Sequence, residues 1–163
     1  MSNEEKILKS LNLLREIGER SDSIKAFQYL PAREGQFRDY PDDVHPALRE
    51  ALAAKGFTSL YSHQRSSWDA LKEGKNIVVV TPTASGKTLC YNLPVLDAIL
   101  KDPSARALYL FPTKALSQDQ QAELDDINGR LPEEIRVFTY DGDTPQDARK
   151  AIRARGHIVL TNP

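Results

Sequence analysis

The chain has 163 residues, 40% of them apolar and 28% charged, and its 22 basic and 23 acidic side chains leave a net charge of −1. These values fit one soluble globular domain and exclude a disordered chain, a collagen-like repeat and, with one cysteine, a disulfide scaffold. No run approaches the roughly 18 consecutive apolar residues of a membrane-spanning helix. Residues 1–80 carry 12 basic and 12 acidic side chains and residues 81–163 carry 10 and 11, so any nucleic-acid contact must be local rather than a bulk basic surface. The polar, acidic start (Met1 to Glu5) is unlike a signal peptide, and Cys90 has no internal disulfide partner; both point to a cytoplasmic protein.

Ile7, Leu11, Leu14 and Ile17 recur at helical spacing, Ser2 and Glu5 have capping-box spacing, and Gly18 is a plausible stop. They predict an amphipathic helix over 4–17 that docks with its apolar face on the main body or on a partner. Residues 21–43, with Phe27, Tyr29, Pro31, Gly35, Phe37, Tyr40 and Pro41, read as a loop-rich connector. Pro46 suits the first turn of a helix and Gly56 its end; a second helix runs from Ser62 to Glu73 and ends at Gly74. Asn76 to Thr81 is short and β-branched, as a strand buried on both faces should be. Next come a helix from Lys87 to Leu100 kinked at Pro94, a strand at 107–111, a helix from Lys114 to Ile127 and a strand at 135–140. A helix capped by Thr144 and Pro145 runs to Arg155, and the last strand covers 157–161. Four strands alternating with helices predict an α/β fold with a parallel sheet, whose ligands bind beyond the carboxyl ends of its strands.

At such an end stands Thr81-Pro82-Thr83-Ala84-Ser85-Gly86-Lys87-Thr88. Gly-Lys-Thr between a strand and a helix is the setting of a phosphate-binding loop. Backbone N–H groups from Ala84 to Thr88 converge on an anion, and the helix N-terminus adds positive potential. Gly86 lets the backbone approach, Lys87 reaches the β- and γ-phosphates, and the Thr88 hydroxyl ligates Mg2+. Thr83, Ala84, Ser85, Gly86, Lys87 and Thr88 are thus the expected ATP-binding set, with Lys87 and Thr88 acting on the reaction. The pattern departs from the general one in opening with Thr81 rather than glycine.

Superfamily 2 helicases of the DEAD/DEAH-box class commonly open this loop without glycine, and Thr81 to Thr88 resembles their motif I. Phe111-Pro112-Thr113-Lys114-Ala115-Leu116 resembles motif Ia, Leu160-Thr161-Asn162-Pro163 the start of motif Ib, and Gly56 to Gln64 the Q motif. Together with Ser117-Gln118-Asp119-Gln120 and Tyr140-Asp141-Gly142-Asp143-Thr144, the phrasing looks closest to the bacterial mitomycin-repair-factor helicases and their fungal relatives, which act on DNA. The resemblance implies the front part of an α/β RecA-like P-loop NTPase domain over 44–163, incomplete and truncated at motif Ib, preceded by an N-terminal helix and connector over 1–43. It implies that Gln64 reads adenine, that Tyr61 or Phe57 stacks on the base, and that Pro112, Thr113, Lys114 and Thr161 touch the nucleic-acid backbone. Such contacts position a strand without reading its sequence.

Arg149, Lys150, Arg153 and Arg155 read as a solvated helix face, Cys90 and Trp68 as core, and His45, His63 and His157 lack zinc-ligand spacing. No Asp-Glu-x-His or Asp-Glu-Ala-Asp word occurs, and Asp125-Asp126 lie in a polar helix pattern rather than at a strand end. The expectation is therefore an N-terminal fragment of a DNA-repair helicase that binds ATP and Mg2+ but lacks hydrolysis and strand separation alone. Two other readings stand beside it: a DEAD-box RNA helicase fragment and a non-catalytic nucleotide-binding or adaptor module.

Overall fold

The computed structural model describes residues 3–21, 26, 28, 34–82 and 85–162. The chain divides into two compact units, residues 1–34 and 35–163. The first holds helix α1 (Asn3–Ser21). It continues through Gly18, since one mid-helix glycine costs only about 1 kcal/mol relative to alanine. Its apolar side chains from Ile7 to Ile17 are 46–60% exposed. An apolar stripe specifies a face, not a neighbour. The expected capping box at Ser2 and the connector's Phe27, Tyr29 and Pro31 lie outside the described residues.

In the second unit, strand β1 (Phe37–Arg38) pairs antiparallel with β2 (Leu60–Tyr61). Helix α2 (Pro46–Ala54) opens on Pro46 and ends before Gly56, whose φ of +89° suits glycine. Helix α3 (Ser62–Lys72) closes the same way before Gly74, at φ +75°. Helix α4 (Leu89–Lys101) contains Pro94. Strand β3 (Ala107–Leu110), helix α5 (Lys114–Asn128), strand β4 (Val137–Tyr140), helix α6 (Gln146–Arg155) and strand β5 (Ile158–Thr161) follow. Thr144 does not cap α6: its hydroxyl bonds within the preceding turn, and Pro145 takes the cap position without a side-chain bond.

The three strands form a parallel sheet in the order β3-β5-β4. Leu110, Thr161 and Tyr140 stand in register, so all three carboxyl ends reach one edge. The core beneath joins Ile158 and Leu160 of β5 to Leu48, Leu52, Trp68, Leu93, Leu96, Leu124 and Ile127. Trp68 is core, as expected, and the ammonium groups of Lys72 and Lys101 lie 4.6 and 5.8 Å from its ring centre. Buried Asp97 ties α4 to the start of α2, accepting from the His45 N–H at 2.8 Å and from Lys101 Nζ at 2.7 Å.

The strand predicted at 76–81 is not formed. Residues 76–81 pair with no strand among the described residues, and Val78 and Val80 are 90% and 89% exposed. Ile77 and Val79, on the alternate face, are half-buried and border cavities of about 480 and 470 Å³ towards α4 and β3. The β-branched run sets an extended backbone, but a strand also needs a hydrogen-bonded neighbour. No described helix is long and apolar enough to cross a membrane.

Candidate nucleotide and nucleic-acid site

The loop that follows residues 76–81 folds back on itself. Lys87 Nζ donates to the carbonyls of Thr81 and Pro82, each at 2.8 Å, and the hydroxyls of Thr81 and Ser85 share a hydrogen bond. Gly86 sits at φ +72°, where an added Cβ would lie 2.8 Å from Gln64 Nε2. Thr88 precedes the first residue of α4, and its carbonyl accepts from the Asn92 N–H at 3.0 Å. The helix thus begins two residues later than its sequence pattern predicts. Thr83 and Ala84 lie outside the described residues.

Gln64, 5% exposed on α3, joins this loop to the segment before it. Its Oε1 accepts from the Tyr61 N–H and its Nε2 donates to the Gly86 carbonyl, both at 2.8 Å. An amide has two donor hydrogens and two acceptor lone pairs, so one of each remains for a ligand. Tyr61 stacks against Phe37 (centroids 4.8 Å apart) and against His63 (5.6 Å). Phe37 and Tyr61 are 52% and 37% exposed, leaving apolar ring surface beside Gln64. Sequence reading placed Phe37 in a connector; only the β1–β2 pairing brings it onto Tyr61. Phe57 is exposed, and its carbonyl accepts from the Tyr40 hydroxyl at 2.9 Å.

These groups suit a nucleotide. A glycine permits close approach, a lysine can exchange two carbonyls for phosphate oxygens, and a half-used amide lies beside aromatic rings. For a metal the donor set is thinner, because no group of three His, Cys, Asp or Glu among the described residues could hold an ion. Thr88 offers its hydroxyl, so Mg2+ held there would depend on phosphate oxygens as well. Cys90 is buried, and burial pushes its thiol above the usual range, as fits a core residue.

A second set of groups gathers at the carboxyl edge of the sheet. After β3, Thr113 caps α5, its Oγ1 accepting from the Leu116 N–H at 3.3 Å. Pro112, Thr113 and Lys114 are exposed, and the first N–H groups of a helix have no intrahelical acceptor. Thr161 ends β5 half-buried, one strand away. After β4, residues 141–144 form a tight turn: the Asp143 N–H donates to Asp141 Oδ1 and the Asp141 N–H to Thr144 Oγ1, both at 2.9 Å. Arg149 is not merely a solvated helix residue. It donates to the carbonyls of Thr144 (2.8 Å), Asp141 (3.0 Å) and Gly142 (3.3 Å), with its guanidinium 5.1 Å from the Tyr140 ring centre.

Lys114 reaches across to this turn and pairs with Asp143 and, at 3.5 Å, with Asp141. The pairing holds the Lys114 ammonium above its usual pKa, and the Asp143 N–H holds the Asp141 carboxyl below its own. The sequence shows a lone lysine here, because its partner stands 29 residues away.

Residues 61–163 match the DEAD/DEAH box helicase family. The uncharacterized ATP-dependent helicase YprA of Bacillus subtilis is 48% identical over 143 residues, covering 88% of this chain and 19% of that protein. The ATP-dependent helicase HRQ1 of Saccharomyces cerevisiae is 36% identical over 145 residues, covering 88% and 13%. Among solved structures, the DUF1998 helicase MrfA bound to DNA and AMPPNP superposes with a TM-score of 0.81 at 45% identity, covering 91% of this chain and 21% of that one. The chain therefore spans about one-fifth or less of the length of these relatives, and its fold is RecA-like. This chain belongs to the DEAD/DEAH box helicase family.

Proposed function

We propose that this chain is the front part of the first motor domain of a cytoplasmic, ATP-dependent superfamily 2 helicase that acts on DNA, in repair. Residues 44–163 form the nucleotide- and strand-binding part, and residues 1–43 an N-terminal extension. The observation that carries the reading is the Gly86-Lys87-Thr88 loop opening α4, with the Gln64 amide bonded to Gly86. With ATP bound, Lys87 would exchange the Thr81 and Pro82 carbonyls for the β- and γ-phosphates, and the Thr88 hydroxyl would help hold Mg2+, which would neutralise phosphate charge. The N–H groups of Ala84 to Thr88 would cradle the phosphates, Gln64 would read the adenine edge, and Tyr61 would stack on the base.

Pro112, Thr113, Lys114 and Thr161 hold a strand by its phosphates at the sheet edge, where α/β folds bind their ligands. A few aimed donors of this kind need no net positive charge, which fits the value of −1. The MrfA structure with DNA, at 45% identity, supports DNA over RNA. ATP hydrolysis by the full-length protein, measured with single-stranded DNA and with RNA of matched sequence, tests the reading. Stimulation by DNA well above that by RNA is expected; stimulation by RNA alone would overturn it.

A further inference from the structure

We infer that Asp143 is a positioning residue that sets how strongly Lys114 can grip a phosphate. Its carboxylate competes with the nucleic-acid backbone for the ammonium. The inference rests on the proposed strand-binding role of the sheet edge and deepens it.

Four observations converge. First, the parallel sheet brings the β3–α5 turn and the β4–α6 turn to one edge on either side of Thr161. Second, Lys114 is 46% exposed and pairs with Asp143, which is itself 86% exposed; the pair stands in water, where a phosphate can reach it. Third, the turn that carries Asp143 is built by other groups. Asp141, Thr144 and Arg149 hold its backbone, leaving the Asp143 side chain free of any structural bond within the turn. Fourth, Arg149 is committed to three carbonyls and to the Tyr140 ring, so among the described residues Lys114 is the cation paired with both carboxylates.

The physical consequence is an exchange. A phosphate oxygen arriving at Lys114 displaces one anion with another, and the displaced carboxylate remains nearby as a like charge. An exposed ion pair is weak, so the exchange lowers affinity only modestly. A motor that releases and rebinds its strand every cycle is served by a contact that is aimed yet easily broken. The net effect is electrostatic and fades as salt shortens the screening length.

The test uses the full-length helicase and a labelled single-stranded oligonucleotide, with binding followed by anisotropy from about 50 mM to about 500 mM salt. The variants are D143N, D143E, K114A and the K114A/D143N double variant. Expected is D143N binding about three- to five-fold tighter at the lowest salt, with the gain closing as salt rises. D143E, which keeps the charge, is expected to match the parent. K114A should bind more weakly and lower the salt slope by about 0.7, and the double variant should match K114A. A purely structural role for Asp143 would not tighten binding. If K114A weakens binding but D143N leaves it unchanged or weaker, the competition is refuted and the strand-binding reading survives. A D143N gain that persists without Lys114 would likewise refute it. If K114A changes nothing, the strand-binding role of this edge fails, and the competition with it.

Discussion

Replacing Gln64 with glutamate keeps the side chain's size and its acceptor but removes both amide donors. The Tyr61 N–H can still donate to the retained oxygen, as it does now at 2.8 Å. The second oxygen, however, would face the Gly86 carbonyl at the 2.8 Å now bridged by a hydrogen bond. Losing that bond costs about 1 kcal/mol, with the carbonyl still receiving the Leu89 N–H at 3.2 Å. On the ligand side the spare donor is lost as well, and a carboxylate oxygen opposes the acceptor nitrogen of adenine, for about another 1 kcal/mol. The Gly86 bond is lost in the free and the ATP-bound protein alike and cancels, so the ligand-side loss of about 1 kcal/mol corresponds to ATP binding roughly fivefold weaker. Titrating a fluorescent ATP analogue into the full-length protein and its Gln64→Glu variant, with GTP as competitor, measures both affinity and base preference. An ATP affinity within about threefold of the parent, with an unchanged preference for ATP over GTP, would refute the reasoning.

Gly86→Ala places a Cβ 2.8 Å from Gln64 Nε2 in a left-handed conformation, a strain of about 1–2 kcal/mol, and should weaken ATP binding about tenfold while far-ultraviolet circular dichroism stays unchanged. Asp97→Ala removes the acceptor of the His45 N–H and the partner of Lys101, while the lysine itself keeps access to water; urea unfolding should show a loss of about 2–3 kcal/mol. Burial raises the Tyr40 phenol to about 12, so the folded chain holds it neutral after the unfolded chain begins to ionise near pH 10. That contribution is present below about pH 10 and lost as pH rises towards about 12; the urea midpoint should therefore fall less steeply over that range in Tyr40→Phe.

The helices were legible because their ends are chemical. Pro46 fixes the backbone at the first turn of α2, and Gly56 and Gly74 take the left-handed positions that end α2 and α3. The turn of the loop proposed to bind phosphate was legible for the same reason, since Gly86 takes a left-handed position, at φ +72°. Residues 76–81 were not, because an apolar β-branched run records the burial a segment is suited to, not whether a neighbouring strand pairs with it; Val78 and Val80 face outward. The bonds that tie the site's side chains together were hidden by separation along the chain. The Gln64 bond to Gly86 spans 22 residues and the Lys114 pair with Asp143 spans 29, and both depend on how α3 and the sheet edge are placed. Arg149 looked like one charge among four on α6, and only the turn it braces distinguishes it.

The central claim is that the loop ending in Gly86-Lys87-Thr88 binds the phosphates of ATP. Isothermal titration of ATP with Mg2+ into the full-length protein and its Lys87→Ala variant tests it directly. ATP affinity lowered by at least about tenfold is expected in the variant, because the ammonium that would exchange the Thr81 and Pro82 carbonyls for phosphate oxygens is gone. Equal ATP affinity in the two proteins would contradict it.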